Sequence, residues 1–227
     1  MMELLNADYT QRLVIDTDAM DWEASPAAGV ERKRLEVLHI HIERVTTIVR
    51  FAPDSYFPAH THGGGEEYLV LEGTFSDESG DYGPGFYVRN PPGSRHQPFT
   101  KDGCTIMVKL CQFDEDDLEQ RNIDTRASNW STGPVEARQF LALHEHNGVA
   151  TKLVRLAPKT QFPHHDHLGG EEVLVVEGSF SDDAGTYTSG TWMREPIGTG
   201  HAPVTGNDGV LMYIRHGYAG HPHITGQ

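Results

Sequence analysis

Two stretches of the chain decide its fold: FPAHTHGGGEEYLVLEGTFSDESGDY, from Phe57 to Tyr82, and FPHHDHLGGEEVLVVEGSFSDDAGTY, from Phe162 to Tyr187. The second stretch follows the first at an offset of 105 residues, and the two align without a gap. Two copies are too few for a solenoid, whose repeats need several stacked neighbours. The repeat therefore predicts two similar domains of about 100 residues each, which is close to the usual domain size.

A polar, acidic segment separates the two copies and lacks the alternation of a strand. We predict a linker there, with a short solvated helix at DEDDLEQR as an equally favoured alternative. The predicted division is a first domain over residues 1–112, a linker over 113–129 and a second domain over 130–227. Trp22 and Trp130 stand at similar places ahead of the copies, and each is predicted to cover the core that it precedes.

Short apolar runs, typical of β-strands, fill both halves. VTTIVRF, YLVLEG and TIMVKL in the first half are answered by VATKLVRL, VLVVEG and VLMYIRH in the second, and Gly, Pro, Asp or Asn bounds each run. No segment keeps a helical period over several turns. The pattern predicts an all-β protein in which each half closes into a barrel, because closure removes exposed strand edges.

The composition argues against several partners and locations. A formal net charge of −15 at pH 7 disfavours nucleic acid and anionic membranes, which attract clustered Lys and Arg. No apolar run approaches the roughly 20 residues of a membrane span, and the acidic first 25 residues do not read as a signal peptide. Cys104 and Cys111 offer no disulfide framework and are predicted to be buried free thiols. We expect a soluble, cytoplasmic protein.

Four residues of metal-ligating type recur at the same spacing in each half. In the first half two histidines alternate along a predicted strand, so both imidazoles can face one point. Glycines then allow a turn that aims a glutamate at that point, and a later turn brings a third histidine. The predicted ligands are His60, His62, Glu66 and His96 in the first half and His165, His167, Glu171 and His201 in the second. One divalent transition metal is expected in each domain.

With these residues the chain resembles the cupin superfamily. Two motifs carry the resemblance, Gly-x5-His-x-His-x3-4-Glu-x6-Gly and Gly-x5-Pro-x-Gly-x2-His-x3-Asn, and both halves fit the spacing from the first histidine to the last. Glu66 and Glu171 match the glutamate position of the motif, whereas Glu67 and Glu172 do not. The resemblance implies two tandem cupin barrels, each a jelly roll, also called a double-stranded β-helix.

The pattern HxHxGGEExLVxEGxFSD is similar to the cupin domain of the anti-sigma factor ChrR, and it also resembles cupin dioxygenases that cleave small ketones. The resemblance covers roughly residues 20–112 and 128–220. Four departures fall at structural positions of the motifs. The opening glycine is replaced by Asp54 and Lys159, and the closing asparagine by Thr100 and Thr205.

The residues do not decide which metal binds. Imidazole suits Zn, Cu, Fe and Ni, and one carboxylate also admits Mn. Four ligands in a tetrahedron would make a closed zinc site. The same four in an octahedron would leave two positions for dioxygen or a chelating substrate. We expect zinc or iron first, with Mn, Ni and Cu as alternatives.

The resemblance implies two alternative functions. The first is a metal-dependent oxygenase, or a related lyase or isomerase, acting on a small polar organic molecule. The second is a sensor or regulatory cupin, which in the ChrR family holds a sigma factor through a separate helical domain with its own zinc site. Only about 25 residues precede the first copy here, and they contain no cysteine. We therefore favour the enzyme and expect no sigma factor as partner.

Other residues leave two interpretations open. The repeated arginines could bind a substrate carboxylate or form salt bridges with nearby glutamates; they are Arg50, Arg155, Arg89 and Arg194. Tyr68 is expected to line the first pocket, and Val173 replaces it in the second. The apolar residues before Trp22 predict a strand that packs on a barrel or across a homodimer.

Overall fold

The computed structural model describes residues 3–39, 44–133 and 137–218, and every regular element in these ranges is a β-strand. The all-β prediction is thereby confirmed. No helix in the described residues could cross a membrane. The described chain forms two compact units, one from residues 1–7 and 20–128 and the other from 8–19 and 129–227.

The first strand lies in the second unit, and the next thirteen strands form the first unit. In chain order they are β1 (Leu13–Asp16), β2 (Glu23–Ala24), β3 (Val30–His39), β4 (Arg44–Phe51), β5 (Ser55–Tyr56), β6 (His60–Thr61), β7 (Glu66–Gly73), β8 (Phe75–Asp77), β9 (Gly80–Tyr82), β10 (Phe86–Asn90), β11 (Arg95–His96), β12 (Phe99–Thr100), β13 (Cys104–Leu110) and β14 (Arg121–Asp124).

The remaining strands belong to the second unit. They are β15 (Ser131–Thr132), β16 (Arg138–His146), β17 (Val149–Leu156), β18 (His165–Asp166), β19 (Glu171–Asp182), β20 (Gly185–Thr188), β21 (Thr191–Glu195), β22 (Gly200–His201) and β23 (Val204–His216).

The first unit is built on a seven-stranded antiparallel sheet in the order β14-β10-β7-β13-β4-β3-β2. A four-stranded sheet (β5-β12-β8-β9) and the pair β11-β6 complete it. Alternate residues of the strands point inward, and the inward set forms one apolar cluster. Its buried members include Val30, Phe51, Tyr68, Val70, Phe75, Tyr82, Val88, Ile106 and Val108.

The second unit repeats this plan with a sheet in the order β1-β21-β19-β23-β17-β16-β15, to which β20 adds beside β19. The short pair β18-β22 corresponds to β6-β11 of the first unit. The core is again apolar and faces inward. Its buried members are Val154, Leu156, Val173, Val175, Phe180, Tyr187, Met193, Val210, Met212 and Ile214.

The predicted domain boundaries differ from these units at both ends. The predicted linker contains β14, which pairs with β10 and extends the first sheet. The predicted first domain contains β1, which instead pairs with β21 in the second unit. The physical reason is the same in both cases, since β10 and β21 are equivalent strands whose free edges need a partner.

A second alignment of the sequence explains this arrangement. LVIDTDAMDW over residues 13–22 matches RNIDTRASNW over residues 121–130 at an offset of 108, so β1 and β14 are the first strands of the two repeats. Each first strand belongs to the unit formed by the other repeat. An alignment at the offset of 105 places these residues three positions out of register, so it does not reveal the match. The strand predicted before Trp22 is present, and it packs in a barrel sheet.

Candidate metal centres

Short strand pairs position the histidines of the first quartet. His60 on β6 is the register partner of His96 on β11, so the two side chains lie side by side. His62 follows β6, and its backbone N–H donates to Ser94 O at 2.9 Å. Glu66 begins β7, after a turn in which Gly65 takes a φ of 78°. Local strand pairing and one glycine turn therefore bring the four side chains together.

The ligand atoms of this first quartet lie within 4.8 Å of one another. His62 Nε2 is 3.2 Å from His60 Nε2 and 3.4 Å from Glu66 Oε2. His96 Nε2 is 3.5 Å from the same glutamate oxygen. Three of the four residues are buried, and His60 is half-buried.

The outer nitrogen of each imidazole in this quartet is held by the protein. The Nδ1 partners are Pro58 O for His60 at 3.0 Å, Ser94 Oγ for His62 at 2.9 Å and Asp77 Oδ2 for His96 at 3.2 Å. Carbonyl and carboxylate oxygens can only accept, so Nδ1 of His60 and His96 donates. The lone pair on Nε2 then faces the centre, which is the usual arrangement behind a metal-ligating histidine.

The second quartet is a close copy of the first. Its ligand atoms also lie within 4.8 Å of one another, and His167 Nε2 is 3.5 Å from Glu171 Oε1. His165 on β18 is the register partner of His201 on β22. The Nδ1 partners are Pro163 O for His165 at 3.2 Å, Thr199 Oγ1 for His167 at 3.3 Å and Asp182 Oδ2 for His201 at 2.8 Å. The structure thus brings together all eight predicted residues, in two separate groups.

The chemistry of both quartets fits a transition metal. His96 Nε2 and His167 Nε2 are buried without a hydrogen-bond partner. A buried polar atom without a partner costs free energy, and a metal ion at the centre would supply one. Burial, reinforced by the neighbouring histidines, lowers the pKa of His167 to about 4, so that this imidazole is neutral near pH 7 and free to coordinate. Three imidazoles and a carboxylate suit Zn, Fe, Mn, Ni or Cu.

The two glutamates have different surroundings. Asn90 Nδ2 donates to Glu66 Oε2 at 3.1 Å. At the equivalent position of the second unit stands Glu195, which is paired with Arg12 at 2.7 Å. Burial raises the pKa of Glu171, while Lys152 and His201 act against that rise.

A cavity of about 100 Å³ opens beside the second quartet. Glu171, His165 and His201 form one side, and Arg138 and Lys152 also line it. The remaining walls are mostly apolar: Val154, Leu156, Phe162, Val173, Phe180, Pro203, Met212 and Ile214. A small, mostly apolar cavity thus lies directly against the candidate ligands of the second barrel.

The repeated arginines form structural contacts. Arg89 makes a bidentate pair with buried Asp117, and its Nε lies 3.7 Å from Glu67. Arg194 donates to Asp8 O at 2.8 Å. Of the two interpretations, the structure supports the salt bridge for Arg89. Arg50 and Arg155 lie over the rings of Trp22 and Trp130, one contact by which each tryptophan packs on its barrel.

Several residues of the two sites were not predicted from the sequence. Asp77 and Asp182, which hold the last histidine of each quartet, stand in the repeated FSD stretch and could have been found there. Ser94 and Thr199 match at the offset of 105. Arg138 and Lys152 have no cationic counterpart in the first unit, because Val30 and Thr47 stand at their register positions. Comparison of the two repeats therefore could not predict that these two cations line the cavity.

Two jelly-roll units, each with three histidines and a glutamate gathered inside its barrel, define a bicupin. A family model described as the ChrR Cupin-like domain matches residues 10–114 and 119–219, and the chain belongs to that family. No curated protein sequence matches the chain.

Solved structures share the fold at low sequence identity. A candidate dioxygenase from Nostoc punctiforme is 15% identical with a TM-score of 0.73, and the match covers 90% of this chain and 82% of that one. A candidate glyoxylate-induced protein from Pseudomonas aeruginosa is also 15% identical, with a TM-score of 0.73 and coverage of 90% and 87%. A variant of oxalate decarboxylase from Bacillus subtilis is 14% identical, with a TM-score of 0.64 and coverage of 89% and 76%.

Proposed function

We propose that this protein is a metal-dependent enzyme of the oxygenase type, or a related lyase or isomerase, that acts on a small polar organic molecule. Each barrel holds one divalent transition metal, with zinc or iron preferred over Mn, Ni and Cu. The observation that carries the proposal is the pair of buried, unpartnered Nε2 atoms, His96 in one quartet and His167 in the other. The cavity beside the second quartet supports an enzyme over a purely structural metal site.

The roles of the residues follow from their contacts. His165, His167, Glu171 and His201 hold the metal of the second barrel, and His60, His62, Glu66 and His96 hold that of the first. When bound, such a metal supplies Lewis-acid polarisation and, in the case of iron, a site for dioxygen. Asp182 and Thr199 fix the orientation of two imidazoles. The apolar walls of the cavity keep bulk water away from the reacting molecule.

The alternative is a metal-binding sensor, which membership of the ChrR cupin-like family favours. The two functions differ in what the protein does with a small molecule, since an enzyme converts it whereas a sensor only binds it. They also differ in partner. The enzyme proposal predicts no stable complex with a sigma factor, whereas a stoichiometric complex of submicromolar affinity would restore the regulatory interpretation.

The test of the metal centres is metal analysis of the untagged protein and of matched variants. We expect His62→Ala and His167→Ala each to remove about half of the bound metal. His164→Ala is the control, since His164 neighbours a candidate ligand but its side chain is 64% exposed. A double variant, His62→Ala with His167→Ala, that keeps its full metal content would refute both centres.

The test of catalysis is oxygen uptake by the metal-loaded protein against a panel of diketones and hydroxyketones, with product analysis for reactions that consume no oxygen. Turnover that disappears in His167→Ala and persists in His164→Ala supports the enzyme. Metal-loaded protein without turnover, together with a sigma-factor complex in co-purification, supports the sensor.

A further inference from the structure

Two cations reach into the second barrel beside the candidate metal ligands. Arg138 begins β16 and Lys152 lies on the neighbouring strand β17, and both side chains line the cavity that Glu171, His165 and His201 border. Neither residue belongs to a cupin motif. Their presence inside a mostly apolar cavity therefore needs a separate explanation.

The charges of these two side chains are poorly compensated. Arg138 Nε is buried and has no hydrogen-bond partner, and the guanidinium lies over the rings of Phe140 and Phe162, with centroid distances of 5.8 and 5.4 Å. Burial lowers the pKa of Lys152, the Glu171 carboxylate acts against this, and Arg138 adds to it. One glutamate thus faces two cations, and a divalent ion in the quartet would increase the positive charge. Charge of one sign on half-buried side chains of a mostly apolar cavity is costly unless an anion joins it.

The size of the cavity limits the anion. Its volume is about 100 Å³. An engineered apolar cavity of about 150 Å³ admits benzene, which suggests about four to six non-hydrogen atoms for the occupant here. A planar guanidinium recognises a carboxylate through two parallel hydrogen bonds. The apolar walls leave room for only a short carbon chain.

The first barrel lacks both cations at the equivalent positions. Thr47 stands at the register position of Lys152, and Val30 at that of Arg138. Tyr68 occupies the position of Val173; it is 1% exposed, and its ring packs 4.9 Å from that of Phe75. Tyrosine therefore fills the space that valine leaves open in the second barrel. The quartets are alike, but their surroundings differ.

We propose that the second barrel binds a small carboxylate of about four to six non-hydrogen atoms, held by Arg138 and Lys152 next to the candidate metal ligands. In the first barrel Thr47 and Val30 stand at the positions of these two cations, so we expect no equivalent subsite there. This inference narrows the substrate class of the proposed enzyme, and it rests on that proposal only for the metal. Carboxylate recognition itself depends on two cations that are outside the quartet.

The test is calorimetric titration of the metal-loaded full chain with pyruvate, and with the neutral diketone butanedione for comparison. We expect one pyruvate per chain and much weaker binding of butanedione. Arg138→Met and Lys152→Met should each weaken pyruvate binding by roughly tenfold or more, because each removes a charge-assisted contact. Arg155→Met is the control, since Arg155 is an exposed residue of the same strand and does not line the cavity.

A third variant tests the space rather than the charge. Val173→Tyr introduces the side chain that the first barrel has at this position, and it should abolish pyruvate binding while both cations and the quartet remain. The metal content of every variant is measured in parallel, so that a misfolded barrel is recognised by loss of metal. Wild-type protein that is fully metal-loaded but binds no pyruvate would overturn the carboxylate subsite and leave the metal centres standing. Wild-type protein that takes up no metal but binds pyruvate would keep the subsite and overturn the proposed function.

Discussion

Ser94 accepts a hydrogen bond from the outer nitrogen of His62, with 2.9 Å between Oγ and Nδ1. The hydroxyl proton of Ser94 is already donated to Pro91 O at 2.6 Å. Nδ1 of His62 must therefore carry the ring proton, which leaves the lone pair of Nε2 facing the other candidate ligands. Thr199 makes the same two hydrogen bonds in the second unit, to His167 and to Pro196 O. We call this histidine–hydroxyl–carbonyl chain the relay.

Removal of this relay should weaken metal binding without removing a ligand. We expect Ser94→Ala and Thr199→Ala to lower the metal affinity of their own centres by roughly 10–100-fold, the usual effect of losing a hydrogen bond behind a ligating histidine. Competition with a chromogenic chelator measures it. Ser94→Thr is the matched control, because threonine is the residue of the second centre, and it should restore the affinity. An unchanged affinity in Ser94→Ala would contradict the relay.

The metal-free protein should lose stability as the pH falls. The pKa of His167 drops from 6.5 to about 4 on folding, so the unfolded chain takes up a proton first as the pH falls below 6.5. Stability is then highest above that pH, and the loss at pH 5 is about 2 kcal/mol from this histidine alone. Urea unfolding of chelator-treated protein between pH 7.5 and 5 measures the slope.

A variant isolates the contribution of His167 to this slope. His167→Gln should flatten the pH dependence of the free energy of unfolding. His96 should act in the opposite direction: burial alone would lower its pKa, but the hydrogen bond to Asp77 and the charge of Glu66 raise it. Its contribution is therefore present below pH 6.5 and is lost as the pH rises through its folded-state value. Equal slopes for wild type and His167→Gln would contradict the assignment.

Loss of the buried partner of Arg89 should destabilise the first unit strongly. Asp117→Ala leaves a guanidinium whose side chain is 3% exposed without its bidentate carboxylate. The expected cost is about 3–5 kcal/mol. Glu31→Ala breaks the pair with Arg50 at the surface, where both side chains are more than 40% exposed, and it should cost less than about 1 kcal/mol. Thermal unfolding of the two variants gives the comparison.

The two thiols should differ in reactivity. Burial raises the pKa of Cys104 to about 11, so almost none of it is thiolate at pH 8. Cys111 is half-buried. A disulfide reagent should therefore modify native protein at Cys111 only, and Cys104→Ser should leave the reaction unchanged. Rapid modification of a Cys111→Ser variant would show that Cys104 is accessible.

The sequence alone sufficed for the fold class and for the membership of the quartets. His60 and His62 alternate along a strand, and Glu66 follows a turn that glycine permits; these relationships are local, so spacing reveals them. The alignment of the two repeats then identified the corresponding residues in the second half. The predicted boundary at residue 112 differs from the division into two compact units, because it rested on the same offset of 105, whereas β1 and β14 match at 108.

Tertiary structure alone decided which strand completes which sheet and which side chains face the second cavity. β1 pairs with β21 although some 175 residues separate them in sequence, and no local pattern encodes that choice of partner. Arg138 and Lys152 likewise meet Glu171 only through the register of neighbouring strands. Strand register is fixed by packing across the whole sheet. The sequence thus determined two candidate metal centres, and the fold decided that one of them borders a cavity lined with cations.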